Sequence, residues 1–287
     1  MPARGPLISV AELAARRHDP DLRLVDVRWV LGQPGAGRAA YEAGHIPGAI
    51  HVDVDADLAL PPAPGRPGRH PLPDPGTFTA RLGALGIGDG QYVVAYDDVG
   101  GWVGARLWWM LDSLGHDRAF VLDGGIGAWT AAGHPLSTDV PAYPAARLSL
   151  AADWRRSIDR DALRLRLGSV RLLDARVGPR YRGEIEPIDP VAGHIPTAVS
   201  APTDGNLAPD GRFLDPDALA ERFRSLGADG VGGDVVTSCG SGVAACHNAL
   251  AMRAAGLPDP ILYVGSFSDW SSSGFPVAVG PEPGDPV

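Results

Sequence analysis

Cysteine is scarce in this chain: two thiols in 287 residues. So few build no disulfide framework, and without a Cys-x-x-Cys pair they offer no thiolate set for zinc, so neither a metal nor another cofactor is expected. Long apolar runs are also missing. No stretch approaches the ~20 residues that span a bilayer, and residues 1–10 lack the apolar region and cleavage site of a secretory leader. Arg16-Arg17 is followed by His-Asp-Pro, unlike a twin-arginine export signal. A cytoplasmic protein with no membrane partner is the expectation. Positive charge is outnumbered as well, with 25 Lys and Arg against 34 Asp and Glu and a net charge of -9. That balance excludes broad nucleic-acid binding, which needs a basic surface. What is present is a 45% hydrophobic share, enough for the cores of about two domains at ~100–200 residues each.

The two halves carry the same landmarks in the same order. Leu24-Val25-Asp26-Val27-Arg28 is answered by Leu172-Leu173-Asp174-Ala175-Arg176, and Gly44-His45-Ile46-Pro47 by Gly193-His194-Ile195-Pro196. Ala128-Trp129 with Gly133-His134-Pro135 is answered by Asp269-Trp270 with Gly274-Phe275-Pro276. Such self-similarity marks a duplicated unit. Each half alternates short β-branched runs with helical stretches, which implies βαβ units around a mostly parallel sheet. Strands are expected at Leu24–Val27, Val93–Tyr96 and Phe120–Leu122, then at Leu172–Asp174, Val235–Ser238 and Ile261–Val264. Ser137–Asp153 reads as the linker. Residues 61–76, crowded with proline, glycine and basic side chains, form a connection longer than compact domains usually carry, so they are either functional or mobile.

Cys239 follows the apolar run Val235-Val236-Thr237-Ser238 and precedes Gly240-Ser241-Gly242 and a helical pattern. A thiol at a strand-to-helix junction faces loop amides and the positive end of a helix dipole, which favour the nucleophilic thiolate. The glycines let the backbone fold around the sulfur. In the first half the same position is Asp97, which cannot carry sulfur. Cys246 shares an apolar helical face with Val243 and Leu250 and is expected in the core rather than as a disulfide partner. The cluster Trp108-Trp109-Met110 also reads as core, and Arg106 either reaches the cleft or pairs with an acid.

The paired Gly-His-Ile-Pro segments, Tyr96-Asp97-Asp98, Leu122-Asp123-Gly124-Gly125, Tyr181-Arg182-Gly183-Glu184 and the cysteine loop together resemble the two-domain rhodanese (sulfurtransferase) family. Its 3-mercaptopyruvate sulfurtransferase-like branch is the most similar. The resemblance implies an α/β chain of two tandem rhodanese-like domains, each a mainly parallel five-stranded sheet flanked by helices. Residues 1–140 would be a catalytically inactive domain and 154–287 the catalytic one.

It further implies that Cys239 takes sulfur from 3-mercaptopyruvate or thiosulfate, holds it as a persulfide, and passes it to a thiol, a thioredoxin-like protein or cyanide. Gly240, Ser241, Gly242, Val243 and Ala244 would bind the substrate as the loop, with Arg182 holding its anionic group. The donor stays open at this level. Neutral Gly240 and Ser241 favour mercaptopyruvate, whereas Ala244 stands where the branch has threonine, and Glu184-Ile185-Glu186-Pro187-Ile188-Asp189 lacks a second arginine that the branch carries. The resemblance suggests a serine–histidine–aspartate arrangement involving His45 and Ser241, but the matching His194 favours a structural task for His45. A phosphatase on this fold would need arginine at position 245, which is alanine. A non-enzymatic or weakly active persulfide carrier is the alternative.

Overall fold

The computed structural model describes residues 5–230 and 233–287, so the first four residues of the segment read for a leader lie outside it. The chain forms two compact units. The first comprises Met1–Leu60, Pro73–Arg155 and Pro209–Phe213, and the second Pro61–Leu72, Arg156–Ala208 and Leu214–Val287. Two short segments thus depart from the contiguous domains 1–140 and 154–287: residues 61–72 pack within the second unit, and 209–213 within the first.

The first unit holds strands β1 (Leu7–Ile8), β2 (Leu22–Asp26), β3 (Ala49–His51), β4 (Tyr92–Tyr96) and β5 (Ala119–Leu122) in a parallel sheet of order β1-β5-β4-β2-β3. The second repeats this with β6 (Ser157–Ile158), β7 (Arg171–Asp174), β8 (Val199–Ser200), β9 (Val235–Ser238) and β10 (Ile261–Tyr263), in the order β6-β10-β9-β7-β8. Helices connect the strands, as parallel pairing requires. From Val93 onward β4 is buried, as is all of β9, which explains the apolar runs Val93-Val94-Ala95 and Val235-Val236. Asp-Pro starts a helix in each unit: Asp74 accepts from the Thr77 amide ahead of Pro75–Ala84, and Asp215 from Ala218 ahead of Pro216–Ser225. The linker residues up to Arg155 form no regular element and belong to the first unit.

The repeated motifs do the same structural work twice. His45 stacks on Tyr41, with its ring nitrogens 2.8 Å from the Tyr41 carbonyl and 3.0 Å from that of Asp139. His194 stacks on Tyr181 and faces the carbonyls of Tyr181 and Glu282. Each histidine also pairs by its backbone, with Ser137 and Ala278 respectively. His45 is therefore a staple of the Gly-His-Ile-Pro turn, and Ser241 finds a different histidine. Trp108, Trp109 and Met110 are core residues, and buried Arg106 donates to the Leu58 carbonyl.

Candidate active site

Cys239 is the first residue past β9, a central strand, at the carboxyl edge where parallel sheets place their ligands. Its loop is pinned from outside. The Cys239 amide donates to Ser266 Oγ, and the carbonyls of Cys239 and Gly240 accept from the amides of Phe267 and Ser268, at 2.9 Å each. With those carbonyls turned away, loop amides turn inward: Gly242 N lies 3.1 Å and Ser241 N 3.4 Å from Cys239 Sγ. Donors aimed at one atom stabilise negative charge that develops there. Gly242 is obligatory in this turn, because its φ is +79° and a Cβ would sit 2.4 Å from the Val264 carbonyl oxygen. Cys239 is only 2% exposed. Val243 is buried, Ala244 caps the helix Ala245–Ala254, and buried Cys246 donates its thiol to the Gly242 carbonyl at 3.3 Å.

In the first unit, Asp97 follows β4 as Cys239 follows β9. Its carboxylate accepts from the amides of Val99 and Gly101 on one oxygen and of Val103 and Gly104 on the other, at 2.8 to 3.0 Å. The same kind of loop thus closes around a carboxylate in one unit and a thiol in the other.

Residues 61–72 bring two side chains to the cysteine loop that sequence reasoning missed. His70, buried, places Nδ1 2.7 Å from Ser241 Oγ. Arg69 is anchored through its backbone amide to Ser268 Oγ and through its guanidinium to Asp189. Gly68 makes the approach possible, since a Cβ there would meet the Gly265 carbonyl oxygen at 2.4 Å.

Arg182 is not brought to this cluster. It lies at the end of the short helix Gly178–Tyr181, partly exposed and paired with Glu184 at 2.7 Å. Arg180 occupies the expected place instead. The buried ring of Tyr181 orients this turn into the core and leaves Arg180 facing Glu186 at 2.7 Å and Asp189 at 2.9 Å. Burial pushes the Glu186 carboxyl up, but hydrogen bonds from Arg180 and from the Asp189 and Ile188 amides, with the Arg180 charge, outweigh it and hold Glu186 below the ordinary carboxylate range. A cavity of about 860 Å³ opens beside this cluster, lined in part by Arg69, Asp189 and Ser268 but not by Cys239. Among the described residues no group of three or more His, Cys, Asp or Glu side chains could hold a metal ion.

A profile of the rhodanese-like domain matches residues 9–132 and 159–273. The chain belongs to the rhodanese family. It is 45% identical over 278 residues to a Pseudomonas aeruginosa protein named "Probable 3-mercaptopyruvate sulfurtransferase", covering 96% of this chain and 98% of the relative. To a Mycobacterium tuberculosis protein named "Putative thiosulfate sulfurtransferase" it is 41% identical, covering 95% and 96%. Among solved structures, 3-mercaptopyruvate sulfurtransferase from Leishmania major superposes with a TM-score of 0.83 at 32% identity, covering 95% of this chain and 75% of that one. Relatives in this family thus carry the names of two different donors.

Proposed function

We propose that this chain, a sulfurtransferase of the rhodanese family, moves sulfur through a persulfide on Cys239. The observation that carries the reading is the convergence on Cys239 Sγ of two loop amides, beside a Ser241 hydroxyl held by His70. In the first half-reaction the Cys239 thiolate attacks the donor's transferable sulfur. With 3-mercaptopyruvate the C–S bond breaks, its electron pair forms the pyruvate enolate, and a proton completes pyruvate. With thiosulfate the S–S bond breaks and its pair leaves on sulfite. In the second, a thiol, a thioredoxin-like protein or cyanide attacks the outer persulfide sulfur, and Cys239 departs as thiolate.

The site favours 3-mercaptopyruvate, because only its enolate needs a proton and the Ser241–His70 pair lies two residues along the loop from Cys239. The first unit, with Asp97 in place of a thiol, is catalytically silent in this reading. A persulfide carrier works where thiols stay reduced, which is consistent with a cytoplasmic location. No helix among the described residues is long and apolar enough to cross a membrane.

Intact-mass analysis after incubation with each donor tests this. One added sulfur on the native chain, absent from Cys239→Ser, is the expected result. Failure of both donors to give the adduct would overturn it.

A further inference from the structure

Gly240, next to the sulfur-bearing residue, is where two guanidinium groups meet. A methyl group built on its Cα would lie 2.9 Å from Arg69 Nη2 and 3.5 Å from Arg180 Nη1. Both side chains keep contact with solvent, 24% exposed for Arg69 and 14% for Arg180, whereas the Asp189 carboxylate that joins them is almost wholly covered. Two forks converging beside a reacting sulfur, with a bridging carboxylate behind them, form a receptor for an anionic oxygen group.

We infer that Arg69, delivered by residues 61–72, joins Arg180 in a clamp over Gly240 that holds the anionic end of the sulfur donor, and that Asp189 sets the charge this clamp prefers. The inference rests on the sulfur-transfer reading of the same site. Asp189 and Glu186 balance Arg69 and Arg180, and Arg176 has its own buried partner in Asp174 at 2.6 Å. The clamp therefore offers directed hydrogen bonds with little excess positive charge. That suits a single carboxylate, as on 3-mercaptopyruvate, better than the thiosulfate dianion, whose second charge finds no counterion. The segment 184–189, where the sequence resemblance leads one to look for a second arginine, instead holds in Asp189 the carboxylate that fixes an arginine from far upstream. Gly240 leaves room for that arginine.

Binding measured by calorimetry on the full chain carrying Cys239→Ser, which cannot react, gives a readout free of turnover. Pyruvate serves as the carboxylate probe and thiosulfate as the dianion. Adding Arg69→Ala or Arg69→Gln is expected to weaken both ligands about tenfold, the loss of one directed charge-assisted contact. Adding Asp189→Asn is expected to do the reverse, tightening thiosulfate about tenfold and pyruvate by only a few-fold, since each ligand charge gains from the removed carboxylate.

If Arg69 merely ties down residues 61–72 through Asp189, the variants will shift affinity in the same direction; that result, or unchanged binding in both Arg69 variants, overturns the clamp. Selectivity unaltered by Asp189→Asn overturns the role of the bridging carboxylate. Failure of the sulfur-transfer reading is distinguished by the absence of a persulfide on the native chain, whatever these affinities are.

Discussion

His70 Nδ1 and Ser241 Oγ lie 2.7 Å apart although 171 residues separate them in sequence. The pair gives the loop a hydroxyl whose proton can be exchanged through an imidazole, two residues along the loop from Cys239. Mercaptopyruvate turnover needs such a proton at the enolate, and sulfite release does not. His70→Asn should therefore lower kcat with 3-mercaptopyruvate about 100-fold, within the usual span for loss of a general acid–base group. Thiosulfate turnover should fall much less. Steady-state kinetics with both donors checks this, and equal losses would remove the proton-delivery role.

Gly240 and Gly242 should respond oppositely to alanine. At Gly242 the new methyl meets a backbone carbonyl oxygen at 2.4 Å with φ at +79°, so the turn must break. At Gly240 it meets no backbone, only the side-chain ends of two arginines. Gly242→Ala should lower stability by about 1–3 kcal/mol and abolish persulfide formation. Gly240→Ala should keep the melting temperature and raise KM for the donor. Thermal unfolding combined with donor kinetics separates the two.

Glu186 makes stability depend on pH. Its carboxyl is held below the ordinary value of 4.5 in the folded state, so the unfolded chain binds its proton first as pH falls. The stabilisation is thus complete above the unfolded value and is lost as pH drops through the folded one. Urea unfolding of the native chain and Glu186→Gln should show the native chain more stable near neutrality. The gap should narrow and then close as pH falls below the ordinary carboxyl value of 4.5 and through the lower folded one. A gap that persists there would show that Glu186 acts through packing rather than charge.

Asp97→Asn keeps shape but replaces one of two acceptor oxygens with a donor. Four backbone amides converge on that carboxylate, and two of them would then face an NH2 group. The first unit should lose about 2–4 kcal/mol. Chemical denaturation followed by hydrogen exchange of the amides of Val99, Gly101, Val103 and Gly104 checks this, with all four expected to lose protection.

Much of this was legible because it is local. The buried parallel strands announce themselves as apolar runs, and the observed β9 coincides with Val235–Ser238. The strand-end thiol and its glycines are contiguous. Two-residue strands such as β1, β6 and β8 were not legible, since so short a pairing has no periodicity of its own. The choice between Arg180 and Arg182 turned on which way one helical turn faces, and the buried Tyr181 ring decides that. Arg69 and His70 were hidden for another reason. Their contacts with Asp189 and Ser241 span 120 and 171 residues, and a proline-rich connection carries no pattern that names its destination.

Residues 61–72 have a consequence for how the chain can be divided. A fragment cut at the linker and starting near residue 154 would keep the sulfur-bearing loop, yet it would leave behind the imidazole and one of the two guanidinium groups beside it. The duplicated sequence invites such a cut, and the packing of residues 61–72 with the second unit argues against it. That unit is discontinuous in the polypeptide, a second half completed by a dozen residues encoded inside the first.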